Sequence, residues 1–158
     1  IAESVADRTL QAHGWDLRAD RMVFDRVLIA AELAKCELGK VEETTIDLGA
    51  VDEAAPPEVE SIIVTRAMLD GLTRELIQRT FLVCDQVLGE VKLRARDLDA
   101  VFLAGGGTLL PGLRDQVAQY FGKRARFDID PMHVVSIGAS LVAARPGLAD
   151  ALHEMIEH

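Results

Sequence analysis

The chain has 158 residues, a formal charge of −9, and 49% hydrophobic but only 4% aromatic residues, a size that suits about one domain or two small ones. This apolar content excludes a disordered acidic tail, and charged residues every few positions exclude a membrane span, which needs roughly twenty uninterrupted apolar residues. With 26 acids against 17 bases, the chain lacks the basic face of a phosphate-backbone binder, so neither nucleic acid nor a membrane is an expected partner.

Val5, Ala6, Thr9 and Leu10 recur at helical spacing and Gly14 follows them, which predicts a short helix over 1–13. From Asp20 to Leu38, one helical face collects Val23, Phe24, Val27, Leu28, Ala31, Ala34 and Leu38, with Asp20 as N-cap and Gly39 as the stop. The period then changes. Thr44, Ile46 and Leu48 alternate with Thr45 and Asp47, and a β-branched run from Val59 to Thr65 follows Pro56 and Pro57, which reads as a hairpin or small meander. Its connection, Gly49 to Pro57, is expected as an exposed loop. The region 41–60 holds seven acids and no base, so it should be a solvated negative surface.

Helical periodicity returns from Arg66 to Leu88, through Leu69, Leu72, Leu76, Ile77, Phe81, Val83 and Val87, with Thr65 as a cap and Gly89 as the end. After a polar approach at Asp97 to Asp99 comes a fully apolar run, Ala100 to Ala104, the pattern of a buried central strand. It meets Gly105, Gly106 and Gly107. A helix is predicted from near Pro111 to Phe121, then a short strand from Arg126 to Ile129, a helix from about Val134 to Arg145, and after Pro146-Gly147 an amphipathic helix bearing Leu148, Leu152, Met155 and Ile156. No internal repeat or low-complexity tract is present.

The segment Val101 to Gly112 is the most informative: a strand delivers glycines to its carboxyl end just before a helix, where ligands of α/β sheets bind. Three glycines remove every Cβ, permit positive φ and let backbone amides approach a flat or anionic ligand. A nucleotide is the natural candidate, and a tight turn that binds nothing is the alternative. Gly107 to Gly112 has the glycine spacing of a P-loop but lacks the Lys and Ser/Thr, and GxGxxG fails at Leu110. The small residues of Ile137-Gly138-Ala139-Ser140 would let a helix pack closely against the glycine turn.

Glu32, Lys35 and Gly39 lie three and four apart on one helical face. They would offer an acceptor, a donor and open space to a heterocycle and its ribose, or they form a surface ion pair followed by a C-cap. Cys36 and Cys84 have no metal or disulfide spacing and read as small buried thiols in a reducing cytoplasm. His13, His153 and His158 read as solvent-facing. His133, near the glycine loop, is a lone acid/base candidate without a partner.

These pieces occur in a familiar order. Ala30-Ala-Glu-Leu-Ala-Lys-Cys-Glu-Leu38, Ile63-Val-Thr-Arg-Ala67, Val101-Phe-Leu-Ala-Gly-Gly-Gly-Thr-Leu-Leu-Pro111, Phe121-Gly-Lys123, and Asp130-Pro131 with Ile137-Gly-Ala139 together resemble the second lobe of the DnaK-type seventy-kilodalton heat-shock chaperones, up to about Arg145. The resemblance implies an α/β (α+β) fold that is part of an actin-like ATPase domain, with an incomplete sheet flanked by helices. Residues 1–90 would form a helix-and-hairpin subdomain (IIB-like) with a connecting helix, 91–145 an adenosine-loop α/β unit (IIA-like), and 146–158 a C-terminal amphipathic helix. It further implies that Glu32 and Lys35 contact adenine and ribose, that Gly39 borders the base, and that Gly105, Gly106 and Gly107 lie beneath the nucleoside. Three departures stand out: Leu109 where the family usually has an arginine stacked on adenine, Gly39 where serine is common, and Met132-His133 where an acidic pair follows the proline. Losing a cation over the base removes about 0.5–2 kcal/mol, though leucine can still pack there.

By the same resemblance, the phosphate loops, the catalytic lysine and the acids that position Mg²⁺ would lie upstream of a segment beginning like this one. Ile1 opens directly on a helical pattern, as in an excised piece of a longer chain, and no interdomain linker is recognisable near the end. The expected function is therefore the adenosine side of an ATP/ADP cleft in a cytoplasmic chaperone ATPase, inactive alone, with adenine nucleotide as ligand and a nucleotide-exchange factor or co-chaperone as partner of the IIB-like lobe. The alternative is a degenerate actin-like interaction module without ATPase activity. A filament-forming or sugar-kinase relative is a third, less matched, reading.

Overall fold

A computed structural model describes residues 1–53, 55–56, 58–59 and 61–156. The chain divides into two compact units, Ile1–Leu82 and Val83–His158.

In the first unit, α1 (Ala2–His13) ends where Gly14 turns left-handed at φ 68° and its N–H returns to the Leu10 carbonyl, the conformation that glycine adopts without a Cβ penalty. Helix α2 (Arg21–Glu37) starts at Asp20, whose carboxylate accepts from the Met22 and Val23 amides. Of the predicted face of α2, Val23, Val27, Ala31, Ala34 and Leu38 are buried. Phe24 is half-buried and Leu28 exposed. The helix ends through Leu38 in a right-handed cap, and Gly39 keeps negative φ, so the predicted stop is placed correctly without a left-handed turn.

Strands β1 (Glu43–Asp47) and β2 (Ser61–Thr65) pair antiparallel, Thr44 opposite Val64 and Ile46 opposite Ile62. Alternation sends Ile46, Ile62 and Val64 inward. The strand pattern ends one residue early: Leu48 opens the single turn α3 (Leu48–Val51), capped by Asp47, and is still fully buried. The predicted connection is only partly visible, since 54, 57 and 60 lie outside the described residues.

Helix α4 (Arg66–Glu90) is capped by the Thr65 hydroxyl, which accepts from the Met68 amide at 3.2 Å. Leu69 and Ile77 are its buried residues, while Leu72, Leu76, Val83 and Val87 of the predicted face are exposed. A helical stripe is buried only where a neighbouring element offers a surface, and periodicity does not report that. The helix passes Gly89 and stops at Glu90, where the Leu93 and Lys92 amides return to the Leu88 and Gly89 carbonyls. That paired motif places Lys92, not a glycine, in the left-handed position at φ 55°.

In the second unit, a 3-10 turn at Ala95–Asp97 is locked by Asp97, which accepts from the Arg94 amide and guanidinium. The apolar run predicted as a buried strand is extended but pairs at one point, Phe102 bridging Arg126 in parallel. Val101 is buried and Phe102 is 63% exposed. Full burial needs partners on both sides, and among the described residues only the 126 region pairs there. A second 3-10 turn, Gly106–Leu109, precedes α5 (Leu113–Phe121). Helix α5 opens two residues after Pro111, because Gly112 intervenes at φ 73°. Val117 and Phe121 are its buried residues, and Tyr120 donates to Asp85 on α4 at 2.5 Å.

Helices α6 (Val134–Ala144) and α7 (Pro146–Ile156) follow. Leu148 of α7 is half-buried and Met155 exposed, while the side chains of Leu152 and Ile156 lie outside the described residues. Among the described residues, no single helix is long and apolar enough to cross a membrane.

Candidate functional site

The candidate residues form two groups, one in each unit. On α2, Lys35 and Glu32 are one turn apart, and the Lys35 ammonium donates to Glu32 Oε2 at 2.6 Å. The Cys36 thiol, 3.9 Å from Glu32 Oε1, donates to the other carboxylate oxygen. Both partners of the ion pair keep solvent access, at 39% and 62% of the side chain, so each still has hydrogen-bonding capacity toward a ligand. A Cβ at Gly39 would stand 3.1 Å from the Cys36 carbonyl oxygen. A side chain there would need the end of α2 to give by a few tenths of an ångström.

Cys36 is exposed and Cys84 only half-buried, contrary to the expectation of buried thiols. The buried positions of α2 are 23, 27, 31 and 34, and 36 falls on another side of the helix.

In the second unit, Gly105, Gly106, Gly107 and Leu109 are brought together in one exposed turn. Gly105 sits at φ 87° and ψ 157°, a region essentially reserved for glycine. Its N–H donates to the Pro131 carbonyl at 2.8 Å, and its carbonyl accepts from the Thr108 hydroxyl at 2.7 Å and the Thr108 amide at 3.1 Å. A Cβ on Gly106 would come 2.9 Å from the Met132 sulfur, while Cβ atoms on Gly105 or Gly107 would meet nothing within 4 Å. The turn therefore has one side open and one side covered by Met132.

Met132 is itself held by Asp130, which accepts its amide at 2.8 Å. That bond holds the Asp130 carboxyl below its ordinary value, against a smaller opposing effect of desolvation, with help from His133, whose Nδ1 lies 3.3 Å away. His133 thus has a partner, and it is exposed. His13 and His153 are exposed as expected, and His158 lies outside the described residues. Gly138 has open space around it and α6 buries no residue, so the predicted close packing of that helix on the glycine turn is absent among the described residues.

Sequence reasoning named the glycines but missed their supports, the Pro131 carbonyl, the Thr108 hydroxyl and Met132. The signal for them was Asp130-Pro131, whose proline carbonyl and aspartate cap organise the neighbouring segment. Among the described residues no cluster of three or more His, Cys, Asp or Glu could hold a metal ion.

A protein-family model described as Hsp70 protein matches residues 1–147. The chain belongs to the Hsp70 family. The match includes α1 to α6 and every candidate residue named above, so the order of motifs seen in the sequence reflects true Hsp70 membership. The fold, mostly helical with one antiparallel strand pair, is that of Hsp70 ATPase-domain sequence. Hsp70 proteins are chaperones that bind ATP.

Proposed function

We propose that this chain supplies the adenosine side of an Hsp70 ATP cleft. Residues 1–90 act as the IIB-like part with its connecting helix, 91–145 as the IIA-like adenosine loop, and 146–158 as a C-terminal helix. Glu32 and Lys35 contact adenine and ribose, Gly39 borders the base, and Gly105 to Gly107 with Leu109 form the floor. ATP or ADP is the ligand, and Mg²⁺ is held by other parts of the parent. The segment is one half of a clamp and carries out no hydrolysis alone. The observation that carries this reading is the glycine turn, held at Gly105 by its bonds to Pro131 and Thr108 and open where Cβ atoms at 105 and 107 would stand. A cytoplasmic setting, with both cysteines unpaired, belongs to the same proposal.

Calorimetric titration of ADP into the full-length protein that contains this chain tests it, the segment by itself being expected to bind weakly at best. Binding is expected there, weakened by about tenfold or more in Glu32→Ala and Lys35→Ala, since hydrogen bonds to charged groups contribute about 1.5–3 kcal/mol. Absence of binding by the full-length protein at millimolar ADP refutes the proposal.

A second reading, an interaction module without ATPase activity, is favoured by an apolar groove of about 330 Å³ in the first unit. Ile29 and Leu33, each more than 60% exposed, stand at its edge, with Ile46 and Val51 inside and Glu37 and Asp47 beside them. A nucleotide-exchange factor or co-chaperone is the kind of partner it suits. On that reading Glu32 and Lys35 substitutions leave partner binding unchanged.

A further inference from the structure

The geometry points to Met132 as a ligand-contacting residue that, together with Leu109, makes an apolar seat for the flat face of a purine beside the glycine turn. This inference rests on the proposed nucleotide site and specifies how that site grips the base. The Met132 sulfur lies where a Gly106 side chain would begin, 2.9 Å from an ideal Cβ. In a 3-10 turn, positions i and i+3 eclipse, so Leu109 stands on the same face of the turn as Gly106. The two side chains therefore flank one edge of the glycine floor, and both are open to solvent, Met132 at 58% and Leu109 at 45%.

Neither group carries charge or a strong hydrogen-bonding atom. What they offer is polarisable surface: a thioether, which favours aromatic partners, and a branched aliphatic chain. Asp130 fixes the start of the Met132 segment through the Met132 amide, and the Gly105–Pro131 bond ties that segment to the turn, so the sulfur is presented from a held backbone. Because the contact is apolar, its contribution is insensitive to salt, unlike that of a stacked cation.

The test is peroxide oxidation of the full-length protein with and without saturating ADP, followed by mass spectrometry of each methionine. Met22 and Met155, 68% and 77% exposed, serve as internal standards. Severalfold protection of Met132 by ADP, with Met22 and Met155 unchanged, is expected. Alongside it, Met132→Ala should weaken ADP binding by about two- to tenfold, equally at low and high salt, and Met132→Leu should retain most of it. If ADP binds by calorimetry while Met132 oxidises at the same rate with and without it, the inference fails and the proposed site stands. If ADP does not bind at all, both fail.

Discussion

Gly105 and Gly106 are neighbours in one turn, yet the same alanine substitution should act on them through different physics. Gly105 at φ 87° and ψ 157° has no heavy atom within 4 Å of an added Cβ, so Gly105→Ala meets no clash and suffers only backbone strain. Residues forced into such regions cost of order 1–3 kcal/mol each. Gly106 has ordinary φ, and its added Cβ meets the Met132 thioether at 2.9 Å. That is the far end of a flexible side chain, and moving it costs about 0.5–1.5 kcal/mol at most. Native-state hydrogen exchange reads the difference at two amides of the turn, Thr108, which bonds the Gly105 carbonyl, and Leu110, which bonds that of Gly107. Gly105→Ala should speed their exchange by about 5- to 150-fold, the conversion of 1–3 kcal/mol of local opening. Gly106→Ala should do so by about tenfold or less, and adding Met132→Ala should remove that effect while leaving the Gly105→Ala effect intact. Equal acceleration in the two single variants, or rescue of Gly105→Ala by Met132→Ala, would refute the assignment of strain to one glycine and contact to the other.

Lys92 at φ 55° occupies the left-handed position that closes α4, so Lys92→Gly should stabilise the second unit by about 1 kcal/mol and raise its thermal midpoint by several degrees. An unchanged or lower midpoint contradicts this. Asp16 accepts from the Arg18 guanidinium and backbone amide, and these bonds, the side-chain one foremost, hold its carboxyl below the ordinary value of 3.8. A depressed folded value means that the stabilisation is present above the unfolded value and is lost as pH falls through the folded one. Thermal midpoints measured between about pH 4 and pH 2 should therefore fall less steeply in Asp16→Asn than in the natural chain; parallel slopes would show that the Arg18 contact carries no pH dependence.

The sequence was most legible where a local group satisfies a local need. Asp20 and Thr65 cap because free amides at a helix start require an acceptor, and Gly14 turns because only glycine does so cheaply. Alternation at 44–48 and the β-branched run 59–65 located both strands, while their bounds and register came only with the pairing of 43–47 against 61–65. Features that depend on distant neighbours were not legible. Phe102 looked like a strand core and is exposed because a single bridge pairs its strand, and Leu72 and Leu76 looked buried because periodicity gives a face without its cover. Within the candidate site, the glycines were visible as a composition signal, whereas Met132, more than twenty residues downstream, becomes part of the turn only through the Gly105–Pro131 bond. Lys92 was hidden for another reason, since left-handed backbone at a lysine has no sequence signature.

Arg66 joins three segments of the first unit: its amide donates to the Glu42 carbonyl, its Nε to the Leu38 carbonyl at 2.6 Å, and its guanidinium to the Glu42 carboxylate at 2.5 Å. These bonds form only after the end of α2, the start of β1 and the start of α4 have assembled, across separations of 24 and 28 residues. Opening any one of these three segments breaks a bond to another, so through this one side chain and its amide the local opening of a helix end, a strand and the following helix becomes a shared event.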